Sequence, residues 1–325
     1  MTSAAFDVLG IGNAIVDVIT HADDSFLTIH ALVKGSMTLI DEARAETLYG
    51  AMGPGVEISG GSCGNTIAGV ASFGGKGAYI GKVRNDQLGT VFGHDLRATG
   101  VTFGTAQATE GPSTARCLIV VTPDAQRTMN TYLGACTRLG PSDIDVAQVA
   151  AAQVTYVEGY LWDPPEAKKA VLKAFDAAHA AGRTVSITLS DSFCVDRYRD
   201  EFRALIRDKV DILFANESEI KSLYQVDSFE AALAAARAEN KICALTRSEK
   251  GSVVIKGSET HTVPAAPVAR VVDTTGAGDL YAAGFLFGFT HNKPLAECAQ
   301  LGGIAAAEVI SHVGARPEKA LKGLI

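Results

Sequence analysis

The segment Val272-Asp273-Thr274-Thr275-Gly276-Ala277-Gly278-Asp279 runs directly into an apolar stretch at 281–289. Gly276, Ala277 and Gly278 carry little or no side chain, so their N–H groups are free to meet an anion at a helix start. Asp279 falls in the first turn of that helix, beside the same spot. A lone aspartate there is ordinarily a cap or a partner of the helix dipole. Anion nest, helix start and internal acid together suit phosphoryl transfer: the amides hold the transferred phosphate while Asp279 takes a proton from the attacking hydroxyl.

Gly60-Gly61-Ser62-Cys63-Gly64-Asn65-Thr66 also places glycines before a helix, where amides can approach a ligand. In isolation an ordinary loop before a helix explains it equally well. Asn13 and Asp17 follow the buried-strand pattern Phe6-Asp7-Val8-Leu9-Gly10-Ile11-Gly12. α/β sheets bind ligands past the C-terminal ends of their strands, and a carboxylate there can accept hydrogen bonds from two vicinal hydroxyls. Gly10 and Gly12 only end the strand, because Ile15 occupies the third position of a dinucleotide fingerprint.

Other chemistries are excluded. Gly81-Lys82 is followed by Val83, and Lys76 stands where a phosphate-binding lysine loop needs its first glycine. The seven histidines are dispersed, and the six cysteines (63, 117, 136, 194, 243 and 298) show neither CxxC nor metal spacing. They read as small buried side chains in a reducing cytoplasm. Twenty-nine Lys+Arg against 36 Asp+Glu give a net charge of −7, unsuited to general nucleic-acid binding. No apolar run approaches the roughly 20 residues of a membrane helix, and residues 1–12 lack a secretory signal pattern. At 325 residues, 47% hydrophobic and 20% charged, the chain can form one large core with an appendage.

The elements that must position these residues alternate. Strand patterns at 78–80, 154–157, 184–189, 212–214 and 242–246 are separated by helical patterns at 66–73, 166–181, 199–209 and 229–239. This predicts a mainly parallel sheet covered on both faces. Two helices follow one another at 278–289 and 295–312. The rhythm breaks at 17–55, with a strand at 33–40, and at 111–139, with strands at 114–121 and 128–133 around Thr122-Pro123-Asp124-Ala125. These two β-rich insertions are expected to form one small sheet, a lid over a body made of 1–16, 56–110 and 140–325.

The whole chain resembles the ribokinase-like family of carbohydrate and purine kinases. The likeness rests on Gly60-Gly61-x-x-x-Asn65, on Asp273-Thr-x-Gly-Ala-Gly-Asp279, on Asn216-Glu217-Ser218-Glu219 and on Thr246-Arg247-Ser248-Glu249-Lys250-Gly251, with Ser248 in place of a glycine. Gly60-Gly61-Ser62, Ser190-Asp191-Ser192-Phe193 and the run 210–217 resemble the adenosine kinases in particular. The resemblance implies a ribokinase-like three-layer α/β/α sandwich with a small β lid. It implies Asp17 and Asn65 on ribose hydroxyls with Asn13, Gly60 and Gly61 beside them, Asp279 activating the 5′-hydroxyl, and Gly276, Ala277 and Gly278 as the anion hole. Arg127 matches a lid arginine that reaches the transferred phosphate. Met129 and Leu133 would face the nucleobase, and Leu161 stands where an aromatic residue stacks on adenine. Tyr132 and Gly303 are further departures from the family pattern.

Asn216, Thr246, Ser248 and Gly251 would hold ATP. ATP brings concentrated negative charge and no lysine loop meets it, so Mg²⁺ must compensate, held through water by Glu219 with Asn216 beside it. Asp273 and the Thr275 carbonyl match a monovalent-cation site for K⁺. The expected partners are ATP and a nucleoside, adenosine first, in a monomer or homodimer. A free-sugar kinase (ribokinase or fructokinase) and a non-catalytic nucleoside- or sugar-binding regulator are the alternatives.

Overall fold

A computed structural model describes residues 4–124 and 126–325. Residues 1–3 and Ala125, the last residue of the turn quoted above, lie outside the described residues. The large sheet contains β1 (Phe6–Ile11), β5 (Gly77–Ile80), β6 (Thr102–Phe103), β9 (Ala152–Glu158), β10 (Thr184–Thr188), β11 (Ile212–Asn216), β12 (Ile242–Thr246), β13 (Ser252–Lys256) and β14 (Glu259–Val263). Their order is β14-β13-β12-β11-β10-β9-β1-β5-β6. Pairing is parallel from β12 to β6 and antiparallel for β13 and β14. Alternate strand residues enter opposite apolar layers, as the two-residue period of a strand dictates. Val8, Val154, Tyr156 and Phe214 pack on one face, and Leu9, Val157, Leu213 and Ala215 on the other. A sheet buried on both faces reads as continuous apolar runs, which is why its strands stand out in the sequence.

The first face is covered by α3 (Ser62–Ser72), α4 (Gln87–Ala98), α10 (Ala277–Thr290) and α11 (Leu295–Val309). The second carries α5 (Val146–Ala150), α6 (Pro165–Ala180), α7 (Ser192–Lys209), α8 (Glu217–Tyr224) and α9 (Phe229–Ala238). The three-layer α/β/α sandwich expected from the sequence is thus present. Among the described residues, no helix is long and apolar enough to cross a membrane.

A second sheet is built from β2 (Ile15–His21), β3 (Met37–Leu39), β4 (Val56–Ser59), β7 (Ala115–Val121) and β8 (Arg127–Tyr132), in the order β3-β8-β7-β2-β4. It draws Ile15 and Val16 and all of β4 from stretches that the sequence reading gave to the body. The stretch 17–55 is less β-rich than expected: it carries α1 (Asp24–Ile29) and α2 (Glu42–Ala51), and the strand expected at 33–40 shrinks to Met37–Leu39. Asp41 caps α2 by accepting from the Arg44 amide at 2.8 Å, a start signal the pattern reading passed over. The β13–β14 hairpin and α4 were also unanticipated. Gly257, at φ +57°, lies in the turn of that hairpin between buried β13 and mostly exposed β14.

Cross-strand partners share a face. Leu39, Thr131, Cys117, Asp17 and Ile58 therefore form one row across the second sheet. Met37, Met129, Ile119 and Ile19 form the next row on the same side.

Candidate active site

Two helix starts meet above the C-terminal edge of the large sheet. Gly276 caps α10 at φ +78°, a left-handed conformation, and a Cβ on it would lie 2.8 Å from that of Ala315. Only glycine meets both conditions without strain. A Cβ on Gly278 would meet nothing within 4 Å, so open space adjoins the first turn where the sequence expected the anion. Gly61 caps α3 at φ +82°, with room for a Cβ denied by the Asn13 carbonyl oxygen at 2.3 Å.

Asp279 bridges the two starts. Its Oδ1 accepts from the Ser62 hydroxyl at 2.7 Å and its Oδ2 from Asn65 Nδ2 at 3.0 Å. Burial raises its pKa above the usual carboxylate range, and Asn65, Ser62 and the Arg316 charge offset this only in part. Asn65, expected on the acceptor hydroxyls, is thus also the link from Asp279 to Arg316, whose Nε donates to Asn65 Oδ1 at 2.9 Å.

Asp17 lies half-buried on the inner face of the second sheet, so close to Gly60 that a Cβ there would stand 2.4 Å from its Oδ2. Burial pushes Asp17 up to about 6; Arg127 and Arg316 restrain the rise, and Asp279 adds to it. Asn13 faces the other way. Its N–H and Nδ2 both donate to Glu158 Oε1, at 2.9 and 2.6 Å, while Glu158 Oε2 accepts from the Cys63 amide at 2.9 Å. Glu158 is fully buried at the end of β9, and burial pushes it up to about 7. It therefore fastens the loop after β1 to the start of α3.

Neither Glu158 nor Arg316 was among the residues picked from the sequence. Glu158 carried a signal close to the one read at Asp17, an acid at the C-terminal end of a buried strand; the structure sets Glu158 there, at the end of β9, and Asp17 inside β2. Arg316 carried none.

Arg127 forms an ion pair with Asp273. Asp273 also accepts from the Thr275 amide at 3.0 Å, the Thr275 hydroxyl at 2.7 Å and the Gly314 amide at 2.9 Å. Burial alone would raise Asp273; the Gly314 and Thr275 amides, the Thr275 hydroxyl and Arg127 together hold it below its ordinary value. A guanidinium thus occupies the carboxylate that the sequence reading assigned to a monovalent cation, and in this conformation Asp273 does not fit K⁺.

On the nucleotide side, Asn216 and Glu219 form a capping box at the start of α8: Asn216 N and Nδ2 donate to the Glu219 carboxylate at 2.9 and 2.6 Å, and Glu219 N donates back to Asn216 Oδ1 at 2.9 Å. Burial pushes Glu219 up to about 7, with Asp191 and Asp279 adding to the rise against the Asn216 amide. Among the described residues, no three His, Cys, Asp or Glu side chains converge to hold a metal. A single buried carboxylate fits Mg²⁺ that arrives with phosphate and keeps its waters, because this ion is ordinarily bound by one or two carboxylates plus phosphates. Thr246 ends β12; beyond it Ser248 takes φ +50° and Gly251 φ +81°. Ser248 therefore adopts the left-handed turn that glycine supplies in the family pattern.

Met129 packs with Ile15, Ile19, Cys117 and Ile119 on Asp17's side of the second sheet. Leu133 lines a hollow of about 270 Å³ with Leu39, Thr131 and Gly134. Tyr132 pairs with Arg116 in the row pointing the opposite way. Leu161 does not meet its expectation: it is 0% exposed, in the short turn Gly159–Trp162, inside the apolar layer under α6 and α7. It offers no surface to a ligand in this conformation, because the turn after β9 folds it under the sheet.

Comparison with known proteins agrees with this arrangement. The structure of adenosine kinase from Sinorhizobium meliloti is 56% identical and superposes with a TM-score of 0.91 over 99% of this chain and 98% of that one. That of a "probable sugar kinase protein" from Rhizobium etli CFN 42 is 55% identical, with a TM-score of 0.91 and the same coverage of 99% and 98%. The adenosine kinase of Saccharomyces cerevisiae is 25% identical over 327 residues, covering 94% of each chain. The family model for pfkB family carbohydrate kinases matches residues 38–320. The α/β/α sandwich, the glycine turn that starts α10 and this match lead to one conclusion: the chain belongs to the pfkB family of carbohydrate kinases, phosphotransferases with an alcohol group as acceptor.

Proposed function

We propose that this kinase transfers the γ-phosphate of ATP to the 5′-hydroxyl of a nucleoside, adenosine first, giving AMP and ADP. The observation that carries the choice of a nucleoside is the hollow at the β3 edge of the second sheet, lined by Leu39, Thr131, Tyr132, Leu133 and Arg138, of which Leu39 and Thr131 share a row with Asp17. Thr131 and Asp17 are separated by two strand spacings, about 10 Å, which suits a sugar on Asp17 and an apolar base beyond it. A free sugar would leave that hollow unfilled. The 56% identity with the Sinorhizobium adenosine kinase supports the same reading, while the Rhizobium relative keeps a sugar kinase in view.

In this reading Asp17 accepts hydrogen bonds from the ribose hydroxyls, and Met129 and Leu133 cover the base. The second sheet acts as a lid that excludes water from the transfer. Asp279 accepts the proton of the attacking hydroxyl as its oxygen bonds to the γ-phosphorus. The bond from phosphorus to the β–γ bridging oxygen breaks, and ADP leaves with the electron pair. The amides at Gly276, Ala277 and Gly278 face the transferring phosphoryl oxygens, where fixed donors lower the barrier without reorganising. Arg127, released from Asp273, adds a charge on the same side. Thr246, Ser248 and Gly251 border the nucleotide. Glu219 and Asn216 would hold Mg²⁺, which would supply charge compensation for the phosphates.

The test is an acceptor panel of adenosine, inosine, ribose and fructose with MgATP, read as ADP release. Adenosine is expected to give the highest kcat/KM. Turnover of ribose or fructose with none of adenosine would overturn the nucleoside reading and leave the free-sugar kinase.

A further inference from the structure

The loop after α11 brings Arg316 back into the site. It lies against Gly64 on the first turn of α3, where a Cβ would be in ordinary contact with Arg316 Nη2 at 3.6 Å. Nη2 donates to the Ser59 carbonyl at 2.7 Å and to its hydroxyl oxygen at 3.0 Å, and Nε donates to Asn65 Oδ1 at 2.9 Å. Ser59 passes its own amide and hydroxyl hydrogens to Asp95 Oδ2, at 2.7 and 2.6 Å. Asn65 Nδ2 completes the chain by donating to Asp279 Oδ2 at 3.0 Å. One run of hydrogen bonds thus joins Asp95 on α4, Ser59 on β4, Arg316, Asn65 on α3 and Asp279 on α10.

The polarity of this run has only one solution. A guanidinium donates and cannot accept, so Asn65 must present its oxygen to Arg316 and its NH₂ to Asp279. Without Arg316 the orientation of the amide depends on Asp279 alone: an ionised carboxylate still calls for the NH₂ group, whereas a protonated one can also donate to the amide oxygen. Hydrogen bonding alone does not account for an arginine here, because Nη1 is buried without a partner among the described residues, and an orphaned buried donor is costly. Its charge does account for it, since Asp95, Asp17 and Asp279 all act on the guanidinium.

We propose that Arg316 is a positioning residue for phosphoryl transfer: it orients Asn65 to donate to Asp279, and it supplies the cation that faces this carboxylate while tying β4 of the second sheet to it. The inference rests on Asp279 being the general base. The groups facing Asp279 are Arg316 from the C-terminal loop, Ser62, Cys63 and Asn65 from α3, Asp17 from β2, Tyr156 and Glu158 from β9, Tyr160 from the turn after it and Glu219 from α8. Among the described residues Arg316 is the one cation acting directly on Asp279, and removing it from among these acids raises the pH at which Asp279 ionises.

The experiment measures kcat and KM from pH 5 to 9 for the wild type, Arg316→Met, Arg316→Lys and Asp279→Asn. It uses MgATP with the acceptor that turns over fastest in the panel above, and melting temperatures are taken in parallel. Arg316→Met should move the acidic limb of kcat/KM up by about one pH unit, lower kcat about tenfold or more at pH 7 and recover part of the loss at pH 9. Arg316→Lys keeps the charge but lacks the Nε donor, so its limb should stay in place while kcat falls several-fold. Arg316→Met with an unmoved limb overturns the proposal. If that variant does not fold, Arg316→Lys with wild-type kcat does so. Asp279→Asn separates the two readings. Near-wild-type activity of that variant removes the base assignment itself, whereas an inactive Asp279→Asn beside unaffected Arg316 variants removes only the role of Arg316. No turnover of any acceptor would remove both.

Discussion

Asp273 and Asp279 stand on either side of one glycine turn, yet their surroundings drive them in opposite directions. Asp273 receives the Gly314 and Thr275 amides, the Thr275 hydroxyl and Arg127, and stays ionised. Asp279 is buried with two neutral donors, and its proton is held more tightly than usual. A carboxylate surrounded by donors is a poor base and a good anchor. One that is desolvated and under-supplied with donors is poised to take a proton. The same residue type, in the same motif, is thus assigned an anchoring role on one side of Gly276 and a proton-accepting role on the other.

The largest effect expected is on Asp279. Asp279→Asn should lower turnover roughly 10²–10⁴-fold, the usual worth of a general base, while Asp273→Asn stays within about tenfold in kcat and shows its loss as a lower melting temperature. Steady-state kinetics and melting curves on the two variants decide this. Equal losses of turnover would end the contrast.

Asp17 extends the comparison to a third acid. Its pKa rises from 3.8 to about 6, so the folded state binds this proton more tightly than the unfolded chain does. The stabilisation is complete below about pH 4 and is lost as pH rises through 6. Asp17→Asn mimics the protonated form. The variant should therefore gain on the wild type by on the order of 2–3 kcal/mol in unfolding free energy between pH 4 and 7.5, while its KM for the acceptor rises. Denaturant curves at the two pH values test this, and a difference that is flat with pH would show that burial does not govern Asp17.

Gly276→Ala acts on the turn that separates the two acids. A left-handed φ and the contact with Ala315 should cost at least about 1 kcal/mol of stability and lower kcat more than they raise KM for ATP. An alanine variant with unchanged kcat would show that the turn need not hold its geometry for transfer.

The parts of the molecule that could be read in advance share a short range. Apolar runs marked the parallel strands because both faces of that sheet are buried, and the 276–279 turn announced a helix start because glycine freedom and a first-turn acid act within four residues of one another. The failures have equally local causes. In the β13–β14 hairpin, β13 is a short buried run that could have been read like the other strands, whereas β14, on the sheet edge, is mostly exposed and polar and gives no such signal. Leu161 was placed beside the acceptor by resemblance alone, whereas the turn after β9 buries it. Glu158 could have been found by the argument already applied to Asp17.

The amino-acid sequence alone settles which backbone segments can form strands, helix starts and an anion nest, because propensity, caps and glycine conformations are properties of a few neighbouring residues. It also settles which side chains are able to carry a proton or a charge. Folding decides which of them do. Asn65 meets Asp279 across 214 residues, Arg127 meets Asp273 across 146 and Arg316 meets Asn65 across 251. Desolvation and charge partners come from such distant encounters, so the proton affinity of Asp279 and the orientation of Asn65 exist only in the assembled site.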